Sequence, residues 1–165
     1  MDTLVHWFTS SLGQHVSRET VVFIISMIPI LELRGGLLAS SLLEIPITRA
    51  IPICIIGNIL PIPFILLFIK RIFIWLKRFR LFRPLIEKLE NRAMKKSTSV
   101  AAGEFWGLAL FVGIPLPGTG AWTGSLIAAL LEIDLKKAII AELVGIMIAT
   151  VIMSIVSYGL LGAIL

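Results

Sequence analysis

Four apolar blocks punctuate the chain: Thr20–Ile45, Ile47–Ile69, Gly103–Ile133 and Leu135–Leu165. The second and fourth each run for more than 20 residues with almost no charge. At 1.5 Å per residue such a helix crosses a hydrocarbon core of about 30 Å. Both read as transmembrane helices. The first and third blocks are broken in the middle, at Met27-Ile-Pro-Ile-Leu-Glu-Leu-Arg-Gly-Gly36 and at Val112-Gly-Ile-Pro-Leu-Pro-Gly-Thr-Gly-Ala-Trp-Thr-Gly124. Proline removes a donor and clustered glycine frees the backbone. The arms left on either side are about 9–14 residues, roughly 14–21 Å as helix, too short to cross. A re-entrant helix–turn–helix hairpin suits these lengths; a kinked full-length span is the alternative. Irregular backbone at membrane depth requires protein or a water-filled cavity around it.

The blocks repeat. A shift of 88 residues lays Val22–Leu60 on Leu110–Ile148 without a gap, with 11 identities in 39 positions. Phe23, Pro29, Gly36, Leu38, Ala50, Ile51 and Gly57 find their counterparts, and Leu42-Leu-Glu-Ile45 matches Leu130-Leu-Glu-Ile133. Apolar-biased composition alone would give about four or five identities. Each half is thus a broken block followed by an intact one.

Composition agrees with a bilayer. Of the 165 residues 58% are hydrophobic and 15% charged, with a mean hydropathy of +1.01, where a soluble domain is nearer half apolar. Ten of the 15 basic residues crowd between Lys70 and Lys96. In that segment Ile72, Phe73, Trp75, Leu76, Phe79 and Phe82 alternate with cations, as in a basic amphipathic helix on the headgroups, bent near Pro84. Confined between spans, this charge fits orientation and anionic membrane lipids, not nucleic acid. If each half crosses the membrane once, the halves are inverted, and Lys136 and Lys137 join the linker on a cytoplasmic face. The expected fold is an all-α integral membrane protein, a single domain over 1–165. It comprises an interfacial N-terminal helix (1–17), a first repeat (18–69), a basic linker (70–102) and a second, inverted repeat (103–165). The N-terminus lacks a basic n-region, so no leader peptide is expected.

Polar residues at membrane depth are the candidates for function. Glu32 and Arg34 flank the first break just before Gly35 and Gly36. Bare charges there cost a few kcal/mol or more and face cavities or each other. Glu32 is a titrating or binding carboxylate; Arg34 is an anion site, or the two form a structural pair. The second break is uncharged. Pro115, Pro117, Gly118 and Gly120 supply free backbone, Thr119 and Thr123 hydroxyls, and Trp122 an indole N–H. Helix N-termini aimed at such a break suit an anion. Glu142 is a proton carrier or snorkels outward, Asn58 a bridge to a hairpin, and Glu44 and Glu132 caps of the helices that follow them. His6 and His15 have no companions at ligand spacing, so no metal is expected. No nucleotide-binding loop occurs, so no cofactor is expected. No nucleophile–base pair marks an enzyme. Cys54 leaves no disulfide within one chain.

Pro29-Ile-Leu-Glu-Leu-Arg-Gly-Gly36, Gly57-Asn-Ile-Leu-Pro-Ile-Pro63 and Gly113–Gly124 resemble the prokaryotic small multidrug export proteins over about Thr20–Tyr158. That family is distantly similar to the DedA proteins, which include undecaprenyl-phosphate translocases. The resemblance implies a proton-coupled inverted-repeat transporter of the cytoplasmic membrane, working as a homodimer. DedA proteins carry essential arginines in the second hairpin region; that tip is uncharged here, so Arg34 would have to serve. The expected activity is translocation of an amphipathic anion such as a polyprenyl phosphate. Export of cationic drugs at Glu32, or a non-transporting lipid-organising scaffold, are the alternatives.

Overall fold

The computed structural model describes residues 17–80, 82–101 and 103–160. The expected N-terminal interfacial helix lies outside the described residues. Among these, every regular element is helical.

Helix α1 (Arg18–Met27) starts at Ser17, whose hydroxyl accepts from the Thr20 amide, and stops before Pro29. After a short turn α2 (Glu32–Leu42) begins. Helices α3 (Ile47–Ile59) and α4 (Ile62–Leu76) follow. Leu60 and Pro61 between them keep right-handed helical dihedrals, so Ile47–Leu76 forms one apolar path of 30 residues. Then come α5 (Arg83–Ala101), α6 (Glu104–Gly113), α7 (Ala121–Leu130) and α8 (Leu135–Ser154), which ends in a π-helical turn, Ile155–Leu160. Ile47–Leu76 and Leu135–Gly159 are long and apolar enough to cross a membrane, and only 33% and 39% of their most apolar windows are buried. Phe64, Leu67, Phe68, Met147 and Val151 point outward, a surface suited to lipid.

The linker departs from expectation in its first part. Lys70–Leu76 completes α4, since nothing in Ile72-Phe-Ile-Trp-Leu76 breaks a helix. The chain turns at 77–82, and Pro84 sits in the first turn of α5, where its missing N–H costs nothing. Glu44 and Glu132 also differ from the expected caps. Each takes a left-handed conformation (φ 57° and 58°), ending the helix before it. Ile45 N–H then donates to Ser40 O at 2.9 Å and Ile133 N–H to Ala128 O at 3.0 Å, the six-to-one bond of a Schellman turn. The start of α8 is capped instead by Asp134, which accepts from the amides of Lys136 and Lys137.

Helix boundaries follow the 88-residue shift, with Leu42 ending α2 as Leu130 ends α7, and Ile47 opening α3 as Leu135 opens α8. Packing follows it too. Helix α1 lies on α2 and α3, and α6 lies on α7 and α8; α2 reaches α8 and its π turn, while α7 reaches α4. Polar contacts mark two ends. At one, Arg18 donates to Leu43 O at 3.1 Å, Glu19 pairs with Arg49, and Tyr158 Oη lies within 2.9 Å of both Ser40 Oγ and Ile45 O. At the other, Lys70 bonds Glu132 at 2.8 Å and Lys137 pairs with Glu104. The Lys70 ammonium holds the Glu132 carboxyl below the usual carboxylate range. Helix α3–α4 runs from the Arg49 end to the Lys70 end, and α8 runs back.

Two glycines allow the closest helix approaches. A Cβ on Gly57 would stand 2.8 Å from Phe23 O, and one on Gly145 would stand 2.6 Å from Ala109 O. Backbone cannot yield as a side chain can. Gly57→Ala and Gly145→Ala are each expected to cost about 1–3 kcal/mol through overpacking, read as a lowered Tm in detergent. An unchanged Tm for both would mean that the helices separate freely there.

Candidate functional site

The two breaks meet, and each supplies caps for helix ends at the other. Glu32 opens α2 with φ 50°, a left-handed conformation that is unusual for a side-chain-bearing residue. Its buried carboxylate reaches the N-terminus of α7. Oε2 accepts from the Ala121 amide and Oε1 from the Trp122 amide, both at 3.0 Å. A carboxylate here satisfies two donors that a helix start leaves orphaned and meets the positive end of the helix dipole. Charge-assisted hydrogen bonds of this kind contribute about 1.5–3 kcal/mol each.

Arg34 does the converse at the C-terminus of α6. Its Nη1 donates to Leu116 O at 2.8 Å. Nη2 lies within 3.2 Å of Val112 O, Ile114 O and Thr119 Oγ1. Helix α6 ends here, so the planar guanidinium stands in for the missing amide at Val112 O, while Ile114 O and Leu116 O also accept from the Leu116 and Thr119 amides. Thr119 braces the same turn, its Oγ1 lying 2.9 Å from both Ile114 O and Leu116 O. Trp122 completes the exchange by donating its indole N–H to Met27 O, the end of α1, at 3.1 Å. Gly120 lies directly under Glu32. Its φ is +131°, and a Cβ there would stand 2.1 Å from Glu32 Oε2.

One turn along α7, Ser125 donates to Glu142 Oε2 at 2.9 Å. Glu142 has 0% exposure, and Oε1 has no hydrogen-bond partner. It therefore turns inward from α8 and does not snorkel. An apolar groove of about 450 Å³ lies between Gly107, Leu110, Phe111 and the Ile114–Thr119 turn. Thr119, which also bonds Arg34, is among its lining residues.

The structure thus gathers Glu32, Arg34, Thr119, Gly120 and Trp122 into one cluster, with Pro115, Pro117 and Gly118 forming the turn that presents the carbonyls. Gly118 adopts φ 74°. Gly35 and Gly36 lie on the first turn of α2, and a Cβ at Gly36 would strike Ser26 Oγ and Cys54 Sγ, so that glycine serves packing. Thr123 lies one residue beyond Trp122 and adds no hydrogen bond to the cluster. Asn58 is buried on α3, but its Oδ1 has no partner, so the expected bridge to a hairpin through that atom is not made. Ser125 was not anticipated; a lone serine in an apolar helix carries little signal until Glu142 is seen opposite.

Residues 32–152 match the family model for small multi-drug export proteins. No curated protein and no solved structure matches the chain. The matched span holds the second break, the charged end of the first with Glu32 and Arg34, and most of both long apolar helices. The chain therefore belongs to the small multi-drug export protein family, a membrane-embedded group of the transporter kind.

Proposed function

We infer that this chain is a transporter of the cytoplasmic membrane that moves an amphipathic anion, of the class of a polyprenyl phosphate, by alternating access where the two breaks meet. The observation that carries the reading is the Glu32 carboxylate on the Ala121 and Trp122 amides. It is an anion seat occupied by the chain's own anion. A phosphate headgroup arriving there competes with Glu32, and a proton taken up by Glu32 removes the competitor's charge. Proton uptake and headgroup binding are thereby linked through one pair of amides. The apolar groove that Thr119 helps to line suits the chain of an amphiphile.

The reading treats the halves as inverted repeats, each a re-entrant hairpin and one spanning helix. Support comes from the antiparallel run of the two long helices, and from the shared end of Lys70, Glu104, Glu132 and Lys137. On the positive-inside rule that end is cytoplasmic. Alternating access at a midplane repeat interface is the general behaviour of such architectures.

The test is binding of farnesyl phosphate to purified protein, wild type against Glu32→Gln. A neutral amide competes less well for the two N–H groups, so the variant is expected to bind about tenfold or more tightly, from the strength of one charge-assisted bond. Unchanged or lost binding in a folded variant would sink the reading. Dodecyltrimethylammonium binding that disappears with Glu32→Gln would transfer the assignment to cationic export.

A further inference from the structure

The mechanism above uses Glu32 and leaves Glu142 unexplained. The repeat shows how unusual that residue is. The 88-residue shift lays Glu142 on Cys54 and Gly124 on Gly36. A Cβ at Gly36 would stand 2.9 Å from Cys54 Sγ, and one at Gly124 would stand 3.8 Å from Glu142 Oε1. One half thus puts a small thiol in this niche, and the other puts a carboxyl. Among the described residues the buried side-chain atoms without a hydrogen-bond partner are Asn58 Oδ1, Glu142 Oε1, Ser154 Oγ and Ser157 Oγ. Three of the four are on α8 and its π turn. Buried polar atoms in native proteins almost always have a partner, ordered water included.

These atoms share a face. At about 100° per residue, Glu142, Thr150, Ser154 and Ser157 fall within an arc of roughly 120° on α8. The face leads from Glu142 to Ser157 and Tyr158, whose contacts with Ser40, Ser41 and Ile45 form the Arg18–Arg49 end. The π-helical turn lies there, a distortion frequent at functional sites.

We propose that Glu142 is an internal proton-carrying site, reached from the Arg18–Arg49 end along the hydroxyl-bearing face of α8. Release breaks the carboxyl O–H bond, leaves the electron pair on the carboxylate, and passes the proton to a water hydrogen-bonded at the otherwise unpartnered Oε1, from which it moves along α8 to water at Ser154 and Ser157. Ser125 Oγ–H then remains on Oε2 and supports the charge. Charged and titratable groups on the elements packed against α8 are Glu32 and Arg34 of α2, Arg49 and Cys54 of α3, Lys70 and Arg71 of α4, and Glu104 of α6. Helix α8 itself adds Lys136 and Lys137, and its π turn Tyr158. Arg34 is engaged by the Val112–Leu116 carbonyls and Lys137 by Glu104, so neither is a direct counter-ion to Glu142. This site deepens the transport reading by adding a second proton-carrying group beside Glu32, and rests on that reading only for its purpose.

Infrared difference spectroscopy of the purified protein, titrated with pH and without substrate, tests it. The expected result, read in a Glu32→Gln background so that a proton on Glu32 adds no band, is a protonated-carboxyl band that is lost when Glu142→Gln is added. If Glu142→Gln does not fold, Ser125→Ala is expected to shift the same band by removing its hydrogen bond. Ser154→Ala with Ser157→Ala is expected to slow the band's hydrogen–deuterium exchange several-fold. A band that survives Glu142→Gln, one that ignores Ser125→Ala, exchange unaffected by the serine pair, or no band at any pH at which the protein stays folded would each overturn the proposal. The readout needs no farnesyl phosphate, so a failure here is separate from a failure of the binding test.

Discussion

Replacing Gly120 by alanine is expected to unfold the centre of the molecule, and to do so because of Glu32. Two costs coincide at this position. The backbone is held at φ +131°, a region that side-chain-bearing residues enter at about 1–3 kcal/mol. The added methyl would also lie 2.1 Å from Glu32 Oε2 and 2.7 Å from Cδ. The carboxylate must therefore leave the Ala121 and Trp122 amides, forfeiting charge-assisted bonds of about 1.5–3 kcal/mol each. The sum, about 4–9 kcal/mol, is a large part of the 5–15 kcal/mol that holds a typical domain together. Thermal unfolding in detergent, followed by tryptophan fluorescence, is the measurement. A double-mutant cycle separates the two terms. In a Glu32→Gly background no carboxylate is in the way, and Gly120→Ala should then cost only the backbone strain. Equal costs in both backgrounds would mean that Glu32 does not sit over Gly120.

The features legible in the sequence were those encoded by local chemistry. Pro29, Pro115 and Pro117, with the glycines beside them, marked both breaks to within a few residues, because proline and glycine act where they stand. The 88-residue repeat foretold that α2 and α7, and α3 and α8, would share boundaries. Glu32 and Arg34 stood out because charge in an apolar block is costly wherever it points. What stayed hidden was direction. That Arg34 faces the Val112–Leu116 carbonyls, and Glu32 the Ala121 and Trp122 amides, depends on contacts between residues about 80–90 positions apart, set by packing and not by spacing. The same limit explains the misjudged Glu44 and Glu132. Their neighbours Arg49 and Lys137 suggested a helix start, whereas the φ of each glutamate, set by the preceding helix, made them helix ends. Lys70–Leu76 was assigned to a surface helix on its charge, although its unbroken apolar pattern was that of the span before it.

Arg34→Lys, conservative in charge, is expected to behave almost as badly as Arg34→Ala. The guanidinium spreads its donors over Leu116 O on one side and over Val112 O, Ile114 O and Thr119 Oγ1 on the other. A lysine ammonium is a single point on a flexible stem and cannot bridge these acceptors from one place. Ile114 O and Leu116 O keep the amides of Leu116 and Thr119, so the acceptor that depends on Arg34 is Val112 O, and leaving it unpaired costs about 1–3 kcal/mol. The expected loss is about 1–3 kcal/mol for Arg34→Lys, and more for Arg34→Ala, read as a lowered Tm. Looseness should be local as well: a Thr119→Cys reporter ought to react faster with a membrane-permeant thiol reagent when Arg34 is lysine. The combination distinguishes two roles for the same charge. A latch predicts that Arg34→Lys lowers Tm and exposes position 119 with no ligand present. A site held only for substrate predicts that both readouts stay at the wild-type level and that farnesyl phosphate binding alone changes. With four acceptors already around the guanidinium, the latch is the outcome the geometry favours, and headgroup binding then requires the turn at 114–119 to open first.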